Sequence, residues 1–191
     1  MRLTELHSRD ITIDEGMLDV VKKVVRASIE GIGKALAYLG GFIVNGSLSR
    51  AVESGSIGVD EAMDAYYADA KNLTDDMLKG MTPEGRDQIE PMLNQVQEAF
   101  QDTRQLMVEL KEYDEDKAKE LMFKFNELYK DEFRKAVLED QDAKAIRSLH
   151  SSVNVFRDTV MDYVKEAKAA KQDEVKQRAD KRDSSELADI K

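Results

Sequence analysis

The sequence predicts an all-α fold, an elongated antiparallel helical bundle of three long heptad-patterned helices preceded by a glycine-containing amphipathic helix and a short acidic helix. Three observations carry that prediction. Apolar residues recur at three- and four-residue steps along most of the chain, the spacing of one helix face. Charged residues make up 36% of the 191 positions and aromatics 6%, which suits surface-rich helices better than a thick core. The breaks between the long periodic segments are two to five residues, short enough that consecutive helices must be antiparallel neighbours.

Residues 1–15 read as a polar leader, in which Ile11-Thr12-Ile13 alternates at a period of two. Asp14 is a plausible N-cap for the first helix. Residues 16–80 form an N-terminal helical region. Its first stripe runs Met17, Val20, Val21, Val24, Val25, Ile29, Ile32, Leu36, Leu39 and Ile43. Asn45-Gly46-Ser47 then punctuates the chain, and Leu48 to Glu53 is a short helix that Gly55 ends. The acidic helix covers 59–79 with Val59, Ala62, Met63, Tyr66, Tyr67, Ala70, Leu73, Met77 and Leu78 as its apolar side. Seven of the nine charges from Glu53 to Lys79 are acidic.

Gly80-Met81-Thr82-Pro83-Glu84 marks the boundary of the bundle, because Thr caps, Pro suits the first turn and Glu favours the positive helix end. The bundle spans 82–182. Its first seam is Ile89, Leu93, Val96, Phe100, Thr103, Met107 and Leu110, with Pro91 near the start as a kink or a delay in helix onset. The second face carries Ala118, Met122, Phe125, Tyr129, Phe133 and Ala136. The third seam runs Ile146, Leu149, Val153, Phe156, Val160, Tyr163 or Val164, and Ala167. Phe100, Phe125 and Phe156 stand near the seam midpoints, so the three rings are expected to meet in one core layer. Beyond Lys168 the apolar stripe gives way to alternating charges, a solvated helix, and 183–191 is a frayed tail with Leu187 and Ile190 as a small docking anchor.

Composition removes several chemistries. The absence of Cys excludes disulfides, thiolate nucleophiles and zinc fingers. A net charge of -10, from 29 Lys+Arg and 39 Asp+Glu, argues against a nucleic-acid clamp, so no direct nucleic-acid binding is expected. No apolar run after Met1 has the length of a signal peptide, which makes a non-secreted product, cytoplasmic or virion, the expectation. His150 stands beside Ser151 and Ser152, but helix neighbours point in different directions and no positioned acid accompanies them. It reads as a helix-surface histidine, and His7 as a solvated one. The residues three before the two histidines are Thr4 and Arg147, so the Glu-x-x-His pairs of a di-iron bundle are missing. Asp60, Asp64, Asp75 and Asp76 read as a solvated face rather than a cation site. No catalytic residue, metal or cofactor is expected.

The segment 31–44 departs from ordinary bundle helices, with four glycines and a single charge. Each glycine costs about 1 kcal/mol in a helix interior, so the composition needs a reason. Close packing is one: Gly33, Ala37 and Gly41 repeat at four-residue spacing. Membrane contact through 16–44 is the other, given the broad apolar face beside Lys22, Lys23, Arg26 and Lys34. Gly-Ile-Gly-Lys-Ala-Leu at 31–36 resembles the opening of pore-forming amphipathic peptides, though a 14-residue run is shorter than the roughly 20 needed to span a bilayer. Gly33, Leu36, Ala37, Gly40, Gly41 and Phe42 are the candidate interaction residues.

Ile13-Asp14-Glu15-Gly16 resembles the cleavage consensus of the prohead maturation protease of T4-like bacteriophages, which cuts after Glu when Ile or Leu stands two residues earlier and a small residue follows. The resemblance implies an internal head or core protein of a virion whose leader is removed. The Cys-free, acidic, helical style also resembles the internal ejection proteins of short-tailed phages. The functional expectation is a non-enzymatic structural or assembly protein that forms homo-oligomers or joins other virion proteins. The alternative is an acidic binding module or inhibitor, similar to a DNA mimic, that presents the carboxylates of 60–76 and 84–140 to a basic partner.

Overall fold

The protein is described by a computed structural model over residues 15–29 and 40–188, with side chains placed over 20–27 and 40–176. All regular structure among the described residues is helical. Helix α1 is Glu15–Ile29, so Glu15, the last residue of the expected leader, opens a helix. Residues 1–14, with the leader and Asp14, and residues 30–39 lie outside the described residues. The chain is helical again at 40–44 and turns at Asn45 and Gly46. Gly46 adopts φ 71°, and the Ser47 N–H donates to Asn45 Oδ1 at 3.0 Å. Helix α2 is Ser47–Glu53, after which Gly55, also at φ 71°, reverses the chain. A left-handed φ is the conformation glycine adopts without steric cost.

Helix α3, Val59–Lys79, has 21 residues, so the acidic helix is not short. Helix α4 is Pro83–Tyr113, 31 residues, capped by Thr82 whose Oγ1 accepts the Gly85 N–H at 3.2 Å. Pro91 lies inside it without breaking it or delaying its start. One residue, Asp114, separates α4 from α5, Glu115–Leu128. Its Oδ1 caps the new helix by accepting the Lys117 N–H at 2.9 Å. After α5 the chain winds as π-helix at Tyr129–Phe133 and Ala136–Asp140. Helix α6, Ala143–Ala188, has 46 residues and runs through the region expected to fray; Leu187 lies within it, and Ile190 is outside the described residues.

The helix directions follow from cross-helix pairs. Asp60 pairs with Lys111 and Asp64 with Arg104, so α3 and α4 run oppositely. Asp102 pairs with Arg157 and Glu109 with Lys168, so α4 and α6 run the same way. Tyr66 bonds to Asn126 and Asp69 to Tyr129, placing α3 alongside α5 in one direction. Helix α1 packs on α3 and α2 through the buried Val21 and Val25, with Arg26 3.8 Å from Glu61.

The residues 80–82, where the sequence places a boundary between regions, form a turn. One cluster of buried apolar side chains runs across it, from Val21 and Ile43 through Met63 and Tyr66 to Phe125 and Val160. The π windings have a visible packing role. Phe125, Tyr129, Phe133 and Val137 stand four apart and all have 0% exposure. In an α-helix of 3.6 residues per turn such a series drifts around the axis. The wider π turn slows that drift and holds the series over one core.

Candidate functional site

The centre of the molecule is an aromatic layer joined to a buried polar cluster. Phe125 lies 5.5 Å, centroid to centroid, from both Phe100 and Phe156. Tyr66 meets Phe125 edge-on at 5.1 Å, and Phe133 stacks on Tyr129 at 4.7 Å. Edge-to-face pairs of this kind add about 0.5–1.5 kcal/mol beyond area burial. The layer therefore also takes in Tyr66, Tyr129 and Phe133, three rings beyond those expected from the seam midpoints.

Both buried tyrosines need a hydrogen-bond acceptor, and each finds one on another helix. The Tyr66 hydroxyl donates to Asn126 Oδ1 at 2.7 Å. The Tyr129 hydroxyl donates to Asp69 Oδ2 at 2.9 Å, and Arg134 Nη1 donates to the same oxygen at 2.9 Å. Asp69 is 2% exposed. Burial pushes its carboxyl above the usual value of 3.8, against the opposing pull of the Tyr129 hydrogen bond and the Arg134 charge. Burial, followed by the Asp69 charge, likewise pushes Tyr129 well above its ordinary value of 10.0, and burial raises Tyr66. Every buried side-chain polar atom among the described residues has a partner, which is what makes burial of such groups tolerable.

The candidate interaction residues divide. Gly33, Leu36 and Ala37 lie outside the described residues. Gly40 is buried, and a Cβ there would stand 3.2 Å from Arg134 Nη1, so the guanidinium that holds Asp69 also packs on the 40–44 segment. Gly40 is thus part of the interior rather than of an open surface. Gly41 is exposed and Phe42 half-buried against the core. Within the α1 stripe Val21 and Val25 are spent on protein, at 0% and 1% exposure, whereas Val20 is 50% exposed.

Sequence spacing did not single out Asp69, Asn126 or Arg134 as a unit. The available signal was the all-fours spacing of 125, 129, 133 and 137 together with two tyrosines that must find acceptors when buried. The acidic face of α3 is also less open than its composition implies: Asp60, Asp64 and Asp69 are engaged by Lys111, Arg104 and Arg134. The Lys111 hydrogen bond holds the Asp60 carboxyl below its usual value. His150 is half-buried, with its Nε2 2.9 Å from Asn154 Nδ2. Among the described residues no group of His, Cys, Asp or Glu is arranged to hold a metal ion, and no helix is long and apolar enough to cross a membrane.

A second surface lies where α4 ends. Lys168 and Lys171 stand 5.7 and 4.9 Å from the centroid of the Tyr113 ring. Tyr113, Lys168, Lys171, Gln172, Val175 and Lys176 line an open cavity of about 490 Å³. Residues 171–176 are all exposed, and Val175 is 63% exposed. No protein-family model matches the chain, and neither a curated protein nor a solved structure matches it.

Proposed function

We propose that the chain is a non-enzymatic helical assembly protein, a coiled-coil-like bundle with heptad seams that self-associates or joins other structural proteins. One observation carries this reading: α6 outruns the helices it packs on. Its 46 residues span about 69 Å against about 46 Å for α4. Past its contacts with Tyr113 at the end of α4, roughly 25 Å of helix continues. A packed body with an exposed helical stretch at 171–176 presents side chains for docking, and its interior polar groups are already committed to holding helices together.

The more specific setting we propose is a virion component of a tailed bacteriophage, an internal core or ejection-type protein. That version rests on the Ile13-Asp14-Glu15-Gly16 string, whose Glu15 opens α1. A membrane-active role for 16–44 belongs to it, and requires α1 to leave the core, because Val21 and Val25 are buried there. The acidic-module reading draws less support, since three carboxylates of α3 already have basic partners within the fold.

Sedimentation equilibrium on the full chain tests self-association; a defined oligomer is expected, and a monomer at every concentration would remove it. Intact-mass measurement of protein from its native source tests the virion version. Loss of residues 1–15 is the expected result.

A further inference from the structure

The buried seam of α6 does not stop where its partner helix stops. Val153, Phe156, Val160 and Val164 are buried at three- and four-residue steps, and the steps continue through Lys168, Lys171 and Val175. Helix α4 ends at Tyr113, beside Lys168 and Lys171. The line α4 would follow along α6 is therefore open from this point, and the seam facing it changes from apolar to basic. The sequence spacing extends to Arg178 and Arg182, and residues 165–182 hold seven Lys and Arg against four Asp and Glu in a chain of net charge -10.

We propose that this open seam, centred on Lys171, Val175 and Lys176, is a docking site for an acidic helix face of a second copy of the chain. The inference deepens the assembly reading and rests on it. Charge complementarity selects the occupant. The outer face of α4 carries Glu84, Asp87, Glu90 and Glu98, all exposed and without an ion pair among the described residues. On α3, by contrast, Asp60, Asp64 and Asp69 are already held by Lys111, Arg104 and Arg134.

A helix suits the seam better than a phosphate backbone because the seam is not uniformly cationic. Val175 is an apolar knob 63% exposed at its centre, and Asp173 lies close by in the chain. An apolar contact flanked by opposite charges is how helix pairs set partner and register. The donor face and the accepting seam are different surfaces, so the contact is head-to-tail and can propagate. Repulsion between copies of charge -10 is short-ranged, being screened over about 8 Å at 0.15 M salt.

The test is a charge swap on the full chain, followed by sedimentation velocity at physiological salt. One variant carries Lys171→Glu and Lys176→Glu. The other carries Glu84→Lys, Asp87→Lys and Glu98→Lys. All five side chains are exposed, and circular dichroism with a thermal melt checks that each variant keeps the fold. The expected result is self-association of the wild type, weakening by about tenfold or more in each variant alone, and recovery when the two are mixed. Association of both variants at wild-type strength would overturn the seam and leave the assembly reading intact. A wild type that stays monomeric would overturn both the seam and the self-association it rests on. Binding of the wild type to duplex DNA or phosphatidylserine vesicles, lost with Lys171→Glu and Lys176→Glu and without self-association, would assign the seam to a polyanion instead and overturn the proposal.

Discussion

The middle of α6 and its last third belong to one uninterrupted helix and are held in place by different physics. Around Phe156 the helix is fixed by burial: Val153 and Val160 have 0% exposure, and Phe156 leans on Phe125 at 5.5 Å. From Lys171 to Lys176 every residue is exposed. There the helix rests on propensity, worth a few tenths of a kcal/mol per residue, and on continuity with the packed portion. The difference teaches that a helix is not evidence of a core. What separates the two regions is the presence of a neighbour, and the basic seam begins where α4 runs out.

Emptying the aromatic layer is the severest way to break that contrast. Phe125→Ala should cost about 3–5 kcal/mol, because the rings of Tyr66, Phe100, Tyr129 and Phe156 converge on a site with no exposed surface and the cavity cannot collapse. Urea denaturation would read this as a lowered midpoint with an unchanged slope. A cost near that of an exposed substitution would mean the layer is not packed. Arg134→Ala comes next, at about 2 kcal/mol: it leaves the Asp69 carboxylate buried with only Tyr129, tempered by the partial exposure of the Arg134 side chain.

Asp69 sharpens the comparison through pH. Its folded value is raised above 3.8, so its protonated form is favoured by folding. Its contribution is present in full below the unfolded value and is lost as pH climbs through the higher folded value. Asp69→Asn removes that dependence. The stability of the variant minus that of the wild type should therefore rise as pH increases above 3.8, measured by thermal melts across the carboxylate range.

Two smaller effects mark the edges. Gln141 follows the second π turn at φ 49°, a left-handed conformation glycine adopts without strain. Gln141→Gly should stabilise by about 0.5–1 kcal/mol, with part of the gain offset by lost hydrogen bonds from its side chain to Val137 and Leu138 carbonyls. Val175→Ala should change the stability of the isolated chain by less than about 0.5 kcal/mol, since the side chain is exposed. A larger loss would show that this stretch is already packed on something in solution.

Much of the helix order is legible in the sequence, because caps and punctuation are local. Thr82-Pro83, Asp114, Gly46 and Gly55 each act within a few residues, and a hydrogen bond or a φ value is enough to set the break. The π turns are less legible, although the unbroken four-residue spacing from Phe125 to Val137 is their trace. The Asp69, Tyr129 and Arg134 cluster is hidden for a different reason. Asp69 shares the apolar edge of a helix whose composition reads as a solvated acidic face, and only a tyrosine and an arginine 60 and 65 residues along the chain justify burying it.

By itself the sequence determined the helical class, the positions of the turns and the apolar faces, because hydrophobic spacing and capping are properties of neighbouring residues. Only the tertiary structure decided that Val59–Lys79 shares the core of Pro83–Tyr113, that Gly40 lies under Arg134, and that the α6 seam is covered at Val164 and open at Val175. Those outcomes depend on which helix lies beside which and where each one ends. Burial and charge pairing are set by proximity in space, and a stripe of spacing along one helix carries no record of its neighbour's length.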